Sequence, residues 1–160
     1  MEWQTVRLTI PDEANLIFGQ SHFIKTVEDL VEILRTTVPG CRFGVAFSEA
    51  SGPCLIRHDG NDSDLLDTAI QNAKSVACGH TFFILLKGGY PINVLPAIKA
   101  CQEVCTIFCA TANPVQAVIL ETELGRGVMG VIDGFPPKGV EKKADQKKRK
   151  NFLRKIGYKA

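Results

Sequence analysis

The chain has 160 residues and a mass of 17.5 kDa, with 45% hydrophobic and 22% charged residues. These values are typical of one globular domain, and they exclude a largely disordered, collagen-like or coiled-coil protein. No apolar run reaches the roughly 18 residues that a membrane-spanning helix needs, and residues 1–9 lack the basic start of a signal peptide. We therefore expect a cytoplasmic protein without a membrane anchor.

The net charge of +2 is unevenly divided along the chain. Residues 138–160 contain ten Lys or Arg and two acidic residues, whereas residues 1–137 contain nine basic and fifteen acidic residues. We predict a globular domain over 1–137 and a basic tail over 138–160 that forms a solvated helix or frays. Nucleic-acid binding by the tail is the alternative, and such binding would weaken steeply with salt and disappear on truncation after Pro137.

The hydrophobic pattern predicts strands and helices in alternation. Short apolar or alternating runs predict strands at residues 6–10, 15–19, 42–48, 54–57, 81–87, 105–110, 115–122 and 128–133. Apolar side chains at helical spacing predict three helices, which begin near Thr26, cover 65–76 and cover 97–104. Helices between strands favour an α/β fold, a single-domain layered sandwich in which a mixed β-sheet is flanked by helices.

The six cysteines include no C-x-x-C pair, which favours buried reduced thiols over a disulfide framework or a zinc knuckle. The spacing of Cys101, Cys105 and Cys109 would suit metal ligands on one face of a helix. The segment after Cys105 has the pattern of a strand, however, so the sequence does not favour a metal site there.

Residues 125–130 (GRGVMG) match the spacing G-x-G-x-x-G, in which glycines let backbone amides approach phosphate oxygens. A dinucleotide-binding loop requires a helix directly after it, but here the pattern continues as a strand. Protein kinases place such a loop between strands, yet the chain has no H-R-D or D-F-G motif. A tight hairpin and an anion-binding loop with Arg126 at its tip both remain open.

His22 and Lys25 stand immediately before the predicted helix that begins near Thr26. Unpaired amides and the helix dipole at such a position favour a phosphate or another anion. A neutral imidazole can act as a base or as a nucleophile toward phosphorus. His58 and His80 are weaker candidates for the same role.

Polar side chains follow the predicted strands or open the predicted helices at Asp62, Asn93, Asn113 and Asp133. Capping and turn roles explain each residue singly. In α/β sheets, however, such ends gather in one crevice where ligands bind. Asp62 and Asp133 are therefore candidate oxygen ligands for Mg²⁺.

Five segments in this order resemble the adenosine-specific kinase family of archaea and bacteria. They are residues 20–30 (QSHFIKTVEDL), 47–52 (FSEASG), 91–95 (PINVL), 109–114 (CATANP) and 125–134 (GRGVMGVIDG). The resemblance covers residues 1 to about 135 and leaves out the basic tail. It implies a compact α/β domain that assembles as trimers or larger oligomers, binds adenosine or AMP, and carries a stable phosphohistidine.

By the same match, His22 would be the phosphoacceptor, and Lys25 with the amides at Thr26 would steady the phosphoryl oxygens. Arg126, between Gly125 and Gly127, would neutralise charge. Asn93 and Asn113 would orient the nucleotide or phosphate. We therefore predict a phosphotransferase that uses Mg²⁺ and ATP, or another nucleotide donor, and passes a phosphoryl group through His22 to adenosine. The alternative is a non-catalytic adenosine or AMP sensor with regulatory histidine phosphorylation. The chain has no P-loop, so ATP would be held in another way.

Overall fold

The structure, a computed structural model, describes all 160 residues and contains eight strands and four helices. The strands are β1 Glu2–Leu8, β2 Asn15–Ser21, β3 Arg42–Ser48, β4 Ile56–Gly60, β5 Thr81–Lys87, β6 Val104–Thr111, β7 Val115–Glu121 and β8 Arg126–Asp133. The helices are α1 Thr26–Thr37, α2 Ser63–Val76, α3 Pro91–Ala100 and α4 Lys143–Lys155. None of the helices combines the length and hydrophobicity that crossing a membrane requires.

The strands form a five-stranded sheet in the order β4-β3-β5-β2-β6 and a three-stranded sheet in the order β1-β7-β8. The predicted α/β layered sandwich is confirmed. The expected single mixed sheet is instead two sheets, in which every pairing is antiparallel. The reason lies in β5, which inserts between β2 and β3 and is antiparallel to both, so the two strands that α1 connects are not parallel neighbours.

Hydrophobic residues fill both sides of the five-stranded sheet. On one side, α1 and α3 pack their apolar faces on Ile17 and Ile84. On the other side, α2 and the inner face of the three-stranded sheet cover Phe18 and Phe83, whose rings stack at 4.6 Å. Strands β2, β3 and β5 are therefore buried on both faces, which explains why they read as continuous apolar runs.

Helix α2 approaches the sheet most closely at Gly44 of β3. A Cβ atom at this position would collide with the backbone of Leu65 and Leu66. The absence of a side chain at residue 44 thus sets the distance between α2 and the sheet.

Helix α3 differs from the prediction, whereas α4 agrees with the solvated helix predicted for the basic tail. Helix α3 begins at Pro91 and ends at Ala100, whereas the apolar pattern indicated 97–104. Proline at the first helical position has no amide to lose, and Pro96 inside the helix frees only the carbonyl of the exposed Ile92. The basic tail contains the regular helix α4, which buries none of its residues.

The antiparallel order gives the five-stranded sheet two ends with different loops. We call one the His22 end: there β2 and β3 finish and β4, β5 and β6 begin. The opposite end carries the start of β2 and the turn after β6. A seven-residue strand spans about 20 Å, which is the separation of the two ends.

Candidate functional site

His22 lies on the turn that joins β2 to α1, and its imidazole is exposed and makes no hydrogen bond. The backbone of the turn is held on both sides. The His22 amide donates to the carbonyl of Glu103 at 3.0 Å, and the Ser21 amide donates to the carbonyl of His80 at 2.9 Å. A fixed backbone thus presents a free imidazole to solvent.

The start of α1 offers backbone amides beside this imidazole. No side chain caps the helix, and the amides of Val27 and Glu28 have no acceptor. The Thr26 amide, which the sequence suggested for phosphate, donates instead to the Phe23 carbonyl at 3.2 Å. The Thr26 hydroxyl is buried against Ser21 at 2.6 Å. The amides that are free to bind an anion are therefore those of Val27 and Glu28, one and two residues beyond the predicted Thr26.

Lys25 supplies a positive charge at the same turn. Its ammonium lies 3.3 Å from the Asp29 carboxylate, one helical turn away. Hydrogen bonding from the Glu103 carboxyl, as the largest cause, and the Lys25 ammonium hold the pKa of Asp29 below its usual range. Lys25 can bind a phosphoryl oxygen only by sharing or leaving this partner.

The glycine-rich motif begins at the tip of the β7–β8 hairpin with Gly125, and its other residues, 126–130, lie in β8 without a helix. The tip reaches the His22 end, where it meets the β3–β4 loop across a groove of about 600 Å³. The FSEASG segment contributes Glu49 and Ala50 to the lining of this groove. The glycine-rich motif contributes Gly125, Arg126 and Gly127. Two segments that are 75 residues apart in sequence therefore converge.

Arg126 is held in place on the wall of this groove. Its Nε donates to the carbonyl of Val76, the last residue of α2, at 3.0 Å, and its Nη1 lies 3.3 Å from the Glu121 carboxylate. Cations are favourable at a helix C-terminus because the last carbonyls have no intrahelical donors. Arg126 thus combines a structural contact with a position beside the candidate phosphate loop.

Two residues at the His22 end, Glu49 and Ser48, were not predicted as site residues, and His80, a weaker candidate from the sequence, lies beside them. Glu49 accepts from the Leu55 amide and pairs with Arg57 at 2.8 Å, and these contacts, in that order, lower its pKa. The backbone of His80 is left-handed, with φ +63°, and its amide donates to the Ser48 carbonyl. Glu49 and Ser48 lie in the FSEASG segment, one of the five segments that resemble the family, and this resemblance could have marked them as site residues.

A second groove of about 600 Å³ separates the start of α1 from β4. It is lined by Ile24 and Glu28 on one side and by Leu55, Arg57 and His58 on the other. The exposed His58 therefore also lies at the His22 end, as the third histidine of the chain there.

Four predicted site residues lie at the opposite end. Asn93 caps α3 by accepting from the Tyr90 amide at 2.9 Å. Asn113 follows β6 and lies 3.5 Å from Asp133, and Asp62 caps α2 and pairs with Arg42. The expected single crevice is therefore divided within one chain between two ends about 20 Å apart.

Asp62 and Asp133 do not form a magnesium site within one chain. Asp62 follows β4, whereas Asp133 accepts a hydrogen bond at 2.7 Å from Thr111, the last residue of β6. Strands β4 and β6 are the two edges of the sheet, four strand spacings or about 19 Å apart. Each carboxylate is used locally, Asp62 in a helix cap and Asp133 in a turn.

A compact group of ligating side chains lies beneath the His22 turn. It consists of Asp29, Cys101 and Glu103, whose ligand atoms all lie within 4.8 Å of one another. Burial, followed by the Glu103 carboxyl, raises the pKa of the Cys101 thiol to about 12. Cys105 and Cys109, which share the helical spacing with Cys101, lie on β6 and do not belong to this group.

The comparisons with known proteins agree with the arrangement of these motifs. No functionally curated protein matches the chain. A crystal structure, that of the PH1918 protein from Pyrococcus horikoshii OT3, superimposes with a TM-score of 0.95 at 43% identity, and the match covers 99% of this chain and 98% of that one. The family described as "Adenosine specific kinase" matches residues 6–159, which include the basic tail that the sequence motifs left out. A match of this extent, over the chain that brings the His22 turn and the glycine-rich hairpin to one end, shows that the protein belongs to the adenosine-specific kinase family.

Proposed function

We propose that the protein is an adenosine- or AMP-binding phosphotransferase in which His22 carries the phosphoryl group. The observation that supports this most directly is the exposed His22 imidazole on a fixed turn, next to the free amides of α1. Membership of the adenosine-specific kinase family supplies the substrate class.

In the proposed reaction, a ring nitrogen of neutral His22 attacks the terminal phosphorus of ATP. The phosphorus–oxygen bond to ADP breaks, and the other ring nitrogen loses its proton to solvent as phosphohistidine forms. A hydroxyl of adenosine then attacks the same phosphorus, and the phosphorus–nitrogen bond breaks. The hydroxyl proton passes to the imidazole, which gives AMP and neutral His22. Mg²⁺ bound to the nucleotide would neutralise part of the phosphate charge.

Lys25, Arg126 and the amides of Val27 and Glu28 are the groups that would stabilise the transferred phosphoryl group. In the free chain both cations have carboxylate partners, Asp29 and Glu121. Ion pairs that are partly open to solvent contribute little free energy, so a phosphate can compete with the carboxylates for both cations. Charge-assisted hydrogen bonds to a phosphate are the stronger interaction.

The separation of the two ends leads us to propose that the site is shared between subunits of a homo-oligomer, a trimer or a multiple of it. Asn93 and Asn113 lie too far from His22 to contact the same nucleotide within one chain. The outer face of the three-stranded sheet provides an apolar surface for assembly, because Trp3 is 62% exposed opposite Leu120 and Met129 is 56% exposed.

This assembly predicts a matched pair of results. Trp3→Lys places a charge on the proposed interface, so it should dissociate the oligomer. Ile92→Lys, at a side chain that is also 62% exposed but lies on α3, should leave the oligomer intact. Light scattering coupled to size-exclusion chromatography measures both masses. Dissociation by Ile92→Lys alone would instead place the interface on α3.

The rival function is a sensor that binds adenosine or AMP without turnover. The two functions differ when the protein is incubated with Mg²⁺ and ATP, with and without adenosine. A kinase should gain one phosphoryl group in the intact mass, lose it when adenosine is added, and accumulate AMP over many turnovers. An adduct that adenosine does not discharge, or nucleotide binding without AMP formation, would favour the sensor.

A further inference from the structure

The group formed by Asp29, Cys101 and Glu103 lies between α1 and the loop that joins α3 to β6, with Glu103 buried and the other two half-buried, and the phosphotransfer proposal does not use it. The Cys101 thiol donates to Oε2 of Glu103 at 2.9 Å, and its sulfur lies 4.0 Å from Oδ2 of Asp29. One ligand atom of each residue thus lies within 4.8 Å of the other two.

Glu103 is the unusual member of this group. Its side chain is only 1% exposed, yet Oε1 makes no hydrogen bond. A buried carboxylate oxygen without a partner is costly unless a proton, a donor or a cation compensates it. Lys25, the residue before α1, pairs with Asp29 and makes no ion pair with Glu103.

We propose that Asp29, Cys101 and Glu103 form a binding site for one transition-metal cation, with Zn²⁺ as the preferred ion. One sulfur and two carboxylate oxygens are ligands that Zn²⁺ accepts, whereas Mg²⁺ and Ca²⁺ prefer oxygen alone. Sulfur and oxygen ligands on one tetrahedral Zn²⁺ lie about 3.6 Å apart, by their usual bond lengths. The observed sulfur–oxygen distances of 2.9 and 4.0 Å lie on either side of that value.

The fourth position of such a site would be open to water. Asp29 is 30% exposed and provides the access route, and Lys25 is its present partner. On binding, the Cys101 thiol gives up its proton to solvent and its sulfur bonds to the metal. The site also touches the His22 turn, because the carbonyl of Glu103 accepts from the His22 amide and from the Ser21 hydroxyl. A bound cation would therefore stiffen the backbone that carries His22.

The test is a calorimetric titration of the chelator-treated, reduced full chain with Zn²⁺ alone. Wild type should bind one Zn²⁺ per chain. Cys101→Ser and Glu103→Gln should each weaken binding by about 100-fold or more, since each removes a ligand. Cys105→Ser is the matched control, because that thiol contacts only the backbone carbonyl of Glu103 and should leave the affinity unchanged. Lys25→Met should tighten binding, because it removes the cation that competes for Asp29.

Cobalt provides a readout that reports the sulfur directly. Co²⁺ bound to the wild-type chain should give a near-ultraviolet sulfur-to-cobalt absorption that Cys101→Ser abolishes and Cys105→Ser retains. Circular dichroism checks that each variant is folded. If Glu103→Gln does not fold, Asp29→Asn takes its place as the variant that lacks a carboxylate ligand. Absence of Zn²⁺ binding, or equal affinity in wild type and Cys101→Ser, would overturn the proposal. In that case a shared proton, and not a metal ion, would neutralise the Glu103 carboxylate. Neither readout depends on ATP or adenosine, so the result is independent of the proposed function.

Discussion

His22→Gln should abolish the acid-labile phosphoryl adduct that wild type forms with Mg²⁺ and ATP, and with it the formation of AMP from adenosine. Glutamine keeps a polar side chain of similar reach but has no nucleophilic ring nitrogen. Since the imidazole is exposed and makes no hydrogen bond, the free energy of unfolding should change by less than about 0.5 kcal/mol. Intact-protein mass spectrometry before and after brief acid treatment measures the adduct.

His58→Gln is the matched control for this experiment. His58 is exposed and lies at the same end of the sheet, so it would experience the same nucleotide, but it is not preceded by the turn into α1. This variant should keep the adduct. An acid-labile adduct that persists on His22→Gln would contradict the assignment and move the phosphoacceptor to His58 or His80.

Gly44→Ala should destabilise the protein strongly, although the substitution adds only one methyl group. The added Cβ would overlap the backbone of Leu65 and Leu66, which cannot move aside as a flexible side chain could. Overpacking of this kind costs about 3 kcal/mol. For a chain of this size, that corresponds to a fall in Tm of about 10 °C.

Gly130→Ala is the corresponding control, because a Cβ at residue 130 of β8 would have no atom within 4 Å. Calorimetry of the two variants compares the same chemical change in a blocked and an open position. An equal Tm for both would mean that α2 can shift away from β3, and that the closeness of helix and sheet is not fixed by residue 44.

The pattern of side chains was sufficient for most of the elements, because the local signals agree with the tertiary environment. Strand β5 is a continuous apolar run since both of its faces are covered, and α2 begins at the Asp62 cap. The order of the strands in the five-stranded sheet could not be predicted from the pattern of side chains. The insertion of β5 between β2 and β3 depends on pairings between residues far apart, which periodicity does not encode.

The difference between local signals and long-range pairing also explains which site residues could be predicted to lie at the same end of the sheet. His22, Lys25 and Arg126 lie at the same end of the sheet because a helix terminus and a hairpin tip are local features that both face it, although α1 and the hairpin pack on opposite faces of the sheet. Asn93 and Asn113 also follow strands, but those strands, β5 and β6, are the antiparallel neighbours of β2 and therefore finish at the end opposite to His22. Glu103 has no sequence signal at all, since its burial follows from the packing of α1 against the loop before β6.

The pairing of β1 with β7 has a consequence for the synthesis of the chain. Strand β1 has β7 as its only neighbour, and Glu2 lies opposite Glu121. As the chain grows from its N-terminus, the first strand must therefore wait for nearly the whole body to be made, and β2 must wait for β5 and β6. Until then both are open strand edges that can pair with other chains. The nascent protein thus passes through a long interval in which its earliest segments depend on shielding from outside the chain.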